Sequence, residues 1–313
     1  MRIKDMHLLP KVRDSMSYLY VEHKRIDQED RAIALHDAAG KVSVPCSSLV
    51  ALLLGPGTSI THEAIKTLAD NGCLVMWTGE GAVRFYAQGM GETRSARNLL
   101  YQARVWADHV LRLKVVRRMY EMRFPDPLES NLTLQQIRGK EGIRVREAYA
   151  KASRETGVEW SGRSYRRNNW KDADPINRAL SAANSCLYGV CHAAIVSAGY
   201  SPALGFIHTG KMLSFVYDIA DLYKADITVP IAFKATSESA DKLESRVRRA
   251  CRDQFNSSRL LQRVIPDIER VLAVVERGTV EERDYNASDN PPGMLWDPEE
   301  GEARGGVNWS DME

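Results

Sequence analysis

Short apolar stretches separated by turn residues fill the first ninety positions of the chain. Residues 15–21, 31–36 and 41–45 have strand composition, and the residues between Asp37 and Gly40 offer a turn. Residues 48–54 form an apolar run halted by Gly55-Pro56-Gly57. Thr61 is placed to cap a helix reaching Asn71, with Gly72 as the residue that ends it. Residues 73–77 and 82–87 predict two more strands around Thr78-Gly79-Glu80-Gly81. Beyond Gly89-Met90-Gly91 the apolar period becomes helical. Leu99, Ala103, Trp106, Val110 and Leu113 predict one helix over 95–123, ended by Pro125 and Pro127. Thr133 caps a second helix running to about Glu155, and Asp174-Pro175 opens a third over 176–198. That third segment is small and apolar throughout, which predicts a buried central helix ending at Gly199. Two further helices are expected at 214–224 and 241–276, then an acidic irregular tail. The pattern reads as an α+β protein: a small β-rich N-terminal domain (1–90), a mainly α-helical catalytic domain (91–278) and the tail (279–313).

Composition sharpens this picture in three places. No run approaches the roughly eighteen apolar residues of a membrane span, and the charged N-terminus lacks a secretory pattern, so a cytoplasmic protein without membrane contact is expected. The five cysteines are odd in number and contain no C-x-x-C pair, which suggests neither a disulfide framework nor a zinc site. The net charge of +2 conceals a division: the tail holds ten acids and two bases, leaving 41 basic and 31 acidic side chains in residues 1–278. Such an excess fits a polyanion-binding surface or a well-solvated arginine-rich one.

Three places bear candidate chemistry. Glu141 falls within the apolar stripe of Leu134, Ile137, Val145, Ala148 and Ala152, where a carboxylate needs a partner or a metal. The alternative is a structural ion pair with Arg138, Arg144 or Arg146. Asp218 and Asp221, three apart, share a helix face, and a divalent cation beside them relieves their repulsion; an exposed acidic pair next to Lys224 is the plainer reading. His208 lies in a loop rich in Gly and Pro, GYSPALGFIHTGK, where functional residues are often displayed, although taken alone a satisfied core or loop histidine is the plainer reading. Together these residues supply hard oxygen donors and one nitrogen, a set suited to Mg²⁺ or Mn²⁺ rather than zinc.

The run GYSPALGFIHTGKMLSFVYDIADLYKAD resembles the core of CRISPR-associated protein one, the integrase subunit of the spacer-acquisition complex. RGKEGIRVR and NSCLYGVCHAAIVSAGY stand upstream in that family's order, and the likeness covers residues 9–275, closest to the subtype I-E branch. The resemblance implies that Glu141, His208 and Asp221 bind the divalent ion, with Asp218 as a further ligand or a supporting partner. It implies homodimers, two of them clamped around a dimer of a small ferredoxin-like second subunit. It also implies insertion of short double-stranded DNA into a CRISPR array through 3′-hydroxyl attack on a repeat phosphodiester, and cleavage of branched DNA by the same chemistry. Phosphate contacts are expected from Arg84, Arg163, Lys211, Lys224 and Arg248, with base stacking by Tyr165, Tyr188 or Tyr217. Two rival readings are a stand-alone structure-specific repair nuclease and a non-catalytic DNA-binding scaffold.

Overall fold

The computed structural model describes residues 17–30, 32–38, 40–80, 84–89, 96–162, 174–275, 295–297 and 301–303. Strands come first: β1 (Ser17–Val21), β2 (Arg25–Glu29), β3 (Ala32–Asp37), β4 (Gly40–Pro45), β5 (Leu49–Leu54) and β6 (Ser59–Ile60). Helix α1 (His62–Asp70) follows, then β7 (Leu74–Thr78) and β8 (Phe85–Gly89). Two four-stranded sheets result, in the orders β1-β5-β7-β8 and β4-β3-β2-β6. In the first, β1, β5 and β7 pair in parallel and β8 closes the edge antiparallel.

The period-two alternation of a strand explains why β5 and β7 are apolar at nearly every position. Leu52, Leu54 and Val75 pack on the α1 side with Ala64 and Leu68. Ala51, Leu53, Leu74 and Met76 face the other way and meet Ala193 and Val196. The sheet is therefore covered on both sides, and its second cover belongs to the helical half.

That half comprises α2 (Arg97–Ala107), α3 (His109–Glu121), α4 (Leu134–Thr156), α5 (Pro175–Ser197), α6 (Ser214–Ala220), α7 (Val229–Glu238), α8 (Leu243–Ser257) and α9 (Leu260–Leu272). The architecture is α+β, strands first and helices after. Helix α5 is the axis, with seventeen buried residues packing against α6, α7, α8 and α9. Asp174 caps its start by accepting from Asn177 N, and Pro175 occupies the first turn. Contrary to the expectation from apolar runs, α5 is long and apolar enough to cross a membrane, yet most of that stretch is buried inside the fold.

Several segments differ from the sequence pattern. The helix expected over 95–123 is two helices, because Asp108 turns extended and its carboxylate accepts from Val110 N and Leu111 N as a new cap. The buried face is also another one: Leu99, Val110 and Leu113 are exposed, while Tyr101, Gln102, Val105, Val115 and Met119 are buried. The helix expected over 241–276 breaks at Arg259, which adopts a left-handed φ of 48°. Strand β2 and helix α7 were not foreseen. In the tail, β9 (Leu295–Asp297) and β10 (Gly301–Ala303) pair antiparallel, so that segment is not wholly irregular.

Candidate metal centre

The loop between α5 and α6 is shaped from a distance. Gln102 Nε2 donates to the carbonyls of Ser201 and Leu204, both at 3.1 Å, while its oxygen accepts from Ser201 N at 2.7 Å. Trp106 Nε1 donates to the Gly205 carbonyl at 3.0 Å, and the Arg112 guanidinium donates to the Phe206 carbonyl at 3.1 Å. Gly205 is required at the tightest point: a Cβ there would stand 2.4 Å from the His208 carbonyl oxygen and 2.6 Å from Ser214 Cβ.

Asp218 projects from α6 into this loop and is fully buried. Its Oδ2 accepts from Phe206 N at 2.6 Å and Ile207 N at 3.1 Å; its Oδ1 accepts from His208 N at 2.9 Å and from the His208 ring at 2.7 Å. Burying a carboxylate costs several kcal/mol unless its lone pairs are met, and here four donors meet them. An acceptor at Nδ1 places the imidazole proton there and leaves Nε2 with a free lone pair. The His208 side chain is 43% exposed, and among the described residues nothing bonds its Nε2.

The other two carboxylates meet across a buried arginine. Glu141, on α4, accepts from Arg144 Nε at 2.8 Å and Nη2 at 3.0 Å, a two-pronged pair. Its Oε1 also accepts from Arg123 Nη1 at 3.3 Å. The opposite nitrogen of that guanidinium, Arg123 Nη2, lies 3.7 Å from Asp221 Oδ2. Asp221 Oδ1 in turn accepts from Lys224 Nζ at 2.6 Å, and Lys224 opens a π-helical turn, Lys224–Thr228. The bond to Glu141 holds the Arg144 guanidinium above its ordinary range, against the opposing effect of burial. Burial alone would pull the Lys224 ammonium down, but Asp221 and Tyr188 raise it overall. Rings connect the two halves: His208 sits edge-on to Tyr217 at 5.9 Å, Tyr217 to Tyr188 at 5.0 Å, and Lys224 lies over Tyr188 at 4.9 Å.

Asp218 and Asp221 have separate partners in this structure: Asp218 accepts from the 206–208 loop and the His208 ring, and Asp221 from Lys224. Among the described residues no three His, Cys, Asp or Glu side chains gather as a ready-made metal cage. The donors nonetheless fit a hard divalent ion. Glu141 and Asp221 supply oxygens that already attract cations, and His208 offers one nitrogen while a carboxylate holds the other, the usual support for a metal-binding imidazole.

The profile of the family described as CRISPR associated protein Cas1 matches residues 123–252, the stretch that contains all three of these acids and the histidine's loop. The CRISPR-associated endonuclease Cas1 2 of Thermus thermophilus is 57% identical over 305 residues, covering 97% of this chain and 93% of that protein. The chain belongs to the Cas1 family. The Escherichia coli CRISPR-associated endonuclease Cas1 is 46% identical over 85% of this chain and 87% of its own length. A crystal structure of a TtCas1–DNA complex superposes with a TM-score of 0.79 at 58% identity, covering 85% of this chain and 100% of that one.

In this Cas1-family chain the remaining expected DNA contacts are scattered. Arg84 is exposed just before β8, and Arg248 is half-buried on α8. Lys211 is exposed in the loop, where its backbone N–H donates to Ser214 Oγ and its carbonyl accepts from that same hydroxyl. Lys224, Tyr188 and Tyr217 lie within the centre itself, and Arg163 and Tyr165 fall outside the described residues. Sequence reasoning missed Arg123, Gln102, Trp106 and Arg112. Gln102 left one usable trace, a polar residue between Tyr101 and Val105 on what proves to be the buried face.

Proposed function

We propose that this Cas1-family chain is a divalent-metal-dependent DNA integrase and endonuclease. It inserts short double-stranded fragments into a CRISPR array by attack of a fragment's 3′-hydroxyl on a repeat phosphodiester, and it cleaves branched DNA by the same chemistry. The observation that carries the reading is the buried Asp218–His208 pair, linked through the Tyr217 and Tyr188 rings and Lys224 to Asp221, which Arg123 bridges to Glu141. Mg²⁺ or Mn²⁺, when bound, polarises the phosphodiester and eases loss of the nucleophile's proton.

The chain's own residues do the rest. Glu141, Asp221 and His208 would hold the ion, and Asp218 fixes the imidazole's tautomer and direction. Lys211 and Lys224 neutralise phosphate near the reacting bond, while Arg84, Arg163 and Arg248 extend the track and Tyr165, Tyr188 or Tyr217 stack on bases. The similar TtCas1–DNA complex supports nucleic acid as the partner. The reading includes a cytoplasmic assembly in which two homodimers clamp a dimer of a small ferredoxin-like subunit. Within it, residues 1–90 serve dimerisation and the DNA end, and 91–278 serve catalysis.

The test is strand transfer of a short 3′-hydroxyl duplex into supercoiled plasmid carrying a CRISPR leader and repeat, with the second subunit and Mn²⁺ or Mg²⁺. Metal-dependent products from wild type, lost in His208→Ala and Asp221→Ala, support the reading. Cleavage of branched DNA without transfer would leave a stand-alone repair nuclease. No metal-dependent product of either kind would leave a DNA-binding scaffold.

A further inference from the structure

Arg123 differs from the other cations of the centre. It stands in the turn after α3, only 4% exposed, with its backbone N–H on the Tyr120 carbonyl and its guanidinium over the Tyr120 ring at 5.0 Å. Its Nη1 makes one long bond to Glu141, and its Nη2 reaches Asp221 only as an ion pair at 3.7 Å. Nε and Nη2 are buried with no hydrogen-bond partner among the described residues. Arg144, by contrast, grips Glu141 with two bonds of 2.8 and 3.0 Å. A buried guanidinium with unmet donors is held by charge and shape, not by a completed bond network. Its bridge, one 3.3 Å bond and one 3.7 Å ion pair, is the looser of the two arginine contacts on these carboxylates.

Resting on the metal-centre reading above, we propose that Arg123 is the resident counter-ion of the metal-free protein. It neutralises Glu141 and Asp221 until a divalent ion takes over their charge, and by competing for the same two carboxylates it lowers the affinity for that ion. Arg123 is thus a positioning residue, acting through the carboxylates and not on DNA. A purely structural arginine would differ in sign: its loss would splay the carboxylates and weaken metal binding.

The experiment is a Mn²⁺ titration followed by loss of the free-ion electron paramagnetic resonance signal, with melting temperatures measured with and without Mn²⁺. Wild type, Arg123→Gln, Arg123→Lys and His208→Ala are compared. The expected result is that Arg123→Gln melts lower without metal, recovers with it, and binds Mn²⁺ on the order of tenfold tighter than wild type. Lysine keeps the charge but spans only one carboxylate, so Arg123→Lys falls between them at about threefold tighter. Should the glutamine variant not fold, the lysine variant decides alone. Unchanged or weaker binding in the variants, with wild-type binding abolished by His208→Ala, overturns the proposal and leaves the metal centre standing. Absence of any wild-type binding sensitive to His208→Ala sinks the metal centre and the proposal with it.

Discussion

At the scale of single residues, Asp218 carries the most. Its two oxygens fasten three consecutive loop amides and the His208 ring, so one buried carboxylate decides both the loop's path and the histidine's tautomer. Asp218→Ala strands those backbone donors in a site without exposure. The variant is expected to lose about 3 kcal/mol of stability, an order-of-magnitude figure for buried amides left unpaired, measured by urea denaturation without metal. A loss near zero would mean that the loop finds other partners and that Asp218 does not set its shape. The sequence showed the acid and the histidine, and it showed Glu141 within an apolar stripe. It gave no hint that Arg123 stands between Glu141 and Asp221, because an arginine at a helix end is ordinary, and only the fold brings positions 123, 141 and 221 together.

At the scale of elements, α5 joins the two halves. Its outer face meets the sheet through Ala193 and Val196, and His192 lies against Phe85 of β8 with ring centroids 3.7 Å apart. Burial lowers the His192 imidazole from 6.5 to about 4. The fold therefore favours the neutral ring, whereas the unfolded chain takes up a proton below its ordinary value. The contribution is complete above pH 6.5 and drains as pH falls from 6.5 towards 4, reaching on the order of 3 kcal/mol. Melting temperatures across that window should fall in wild type and fall less in His192→Gln; equal slopes would contradict the assignment. Elements with strong local signals were legible: Thr61, Thr133 and Asp174 each cap the helix expected of them. Those without such signals were not. Strand β2, RIDQE, is polar apart from buried Ile26, and the breaks at Asp108 and Arg259 lack glycine or proline punctuation. The buried face of α2 and α3 differs from the one the spacing predicts, because the break at Asp108 resets the phase of a run that reads as a single helix.

At the scale of the molecule, the sheet half supports α5, α5 supports the loop and α6, and α2 and α3 tie that loop from across the fold. The centre lies where these meet α4. The body of the chain carries an excess of ten positive charges over residues 1–278, a balance that favours association with a polyanion. The most direct test of the account is a crystal structure of the protein soaked with Mn²⁺ and measured for anomalous scattering. One peak is expected, ligated by Glu141, Asp221 and His208 Nε2, with Asp218 still bonded to Nδ1. A peak ligated by Asp218, or a bound ion that avoids His208, would contradict it.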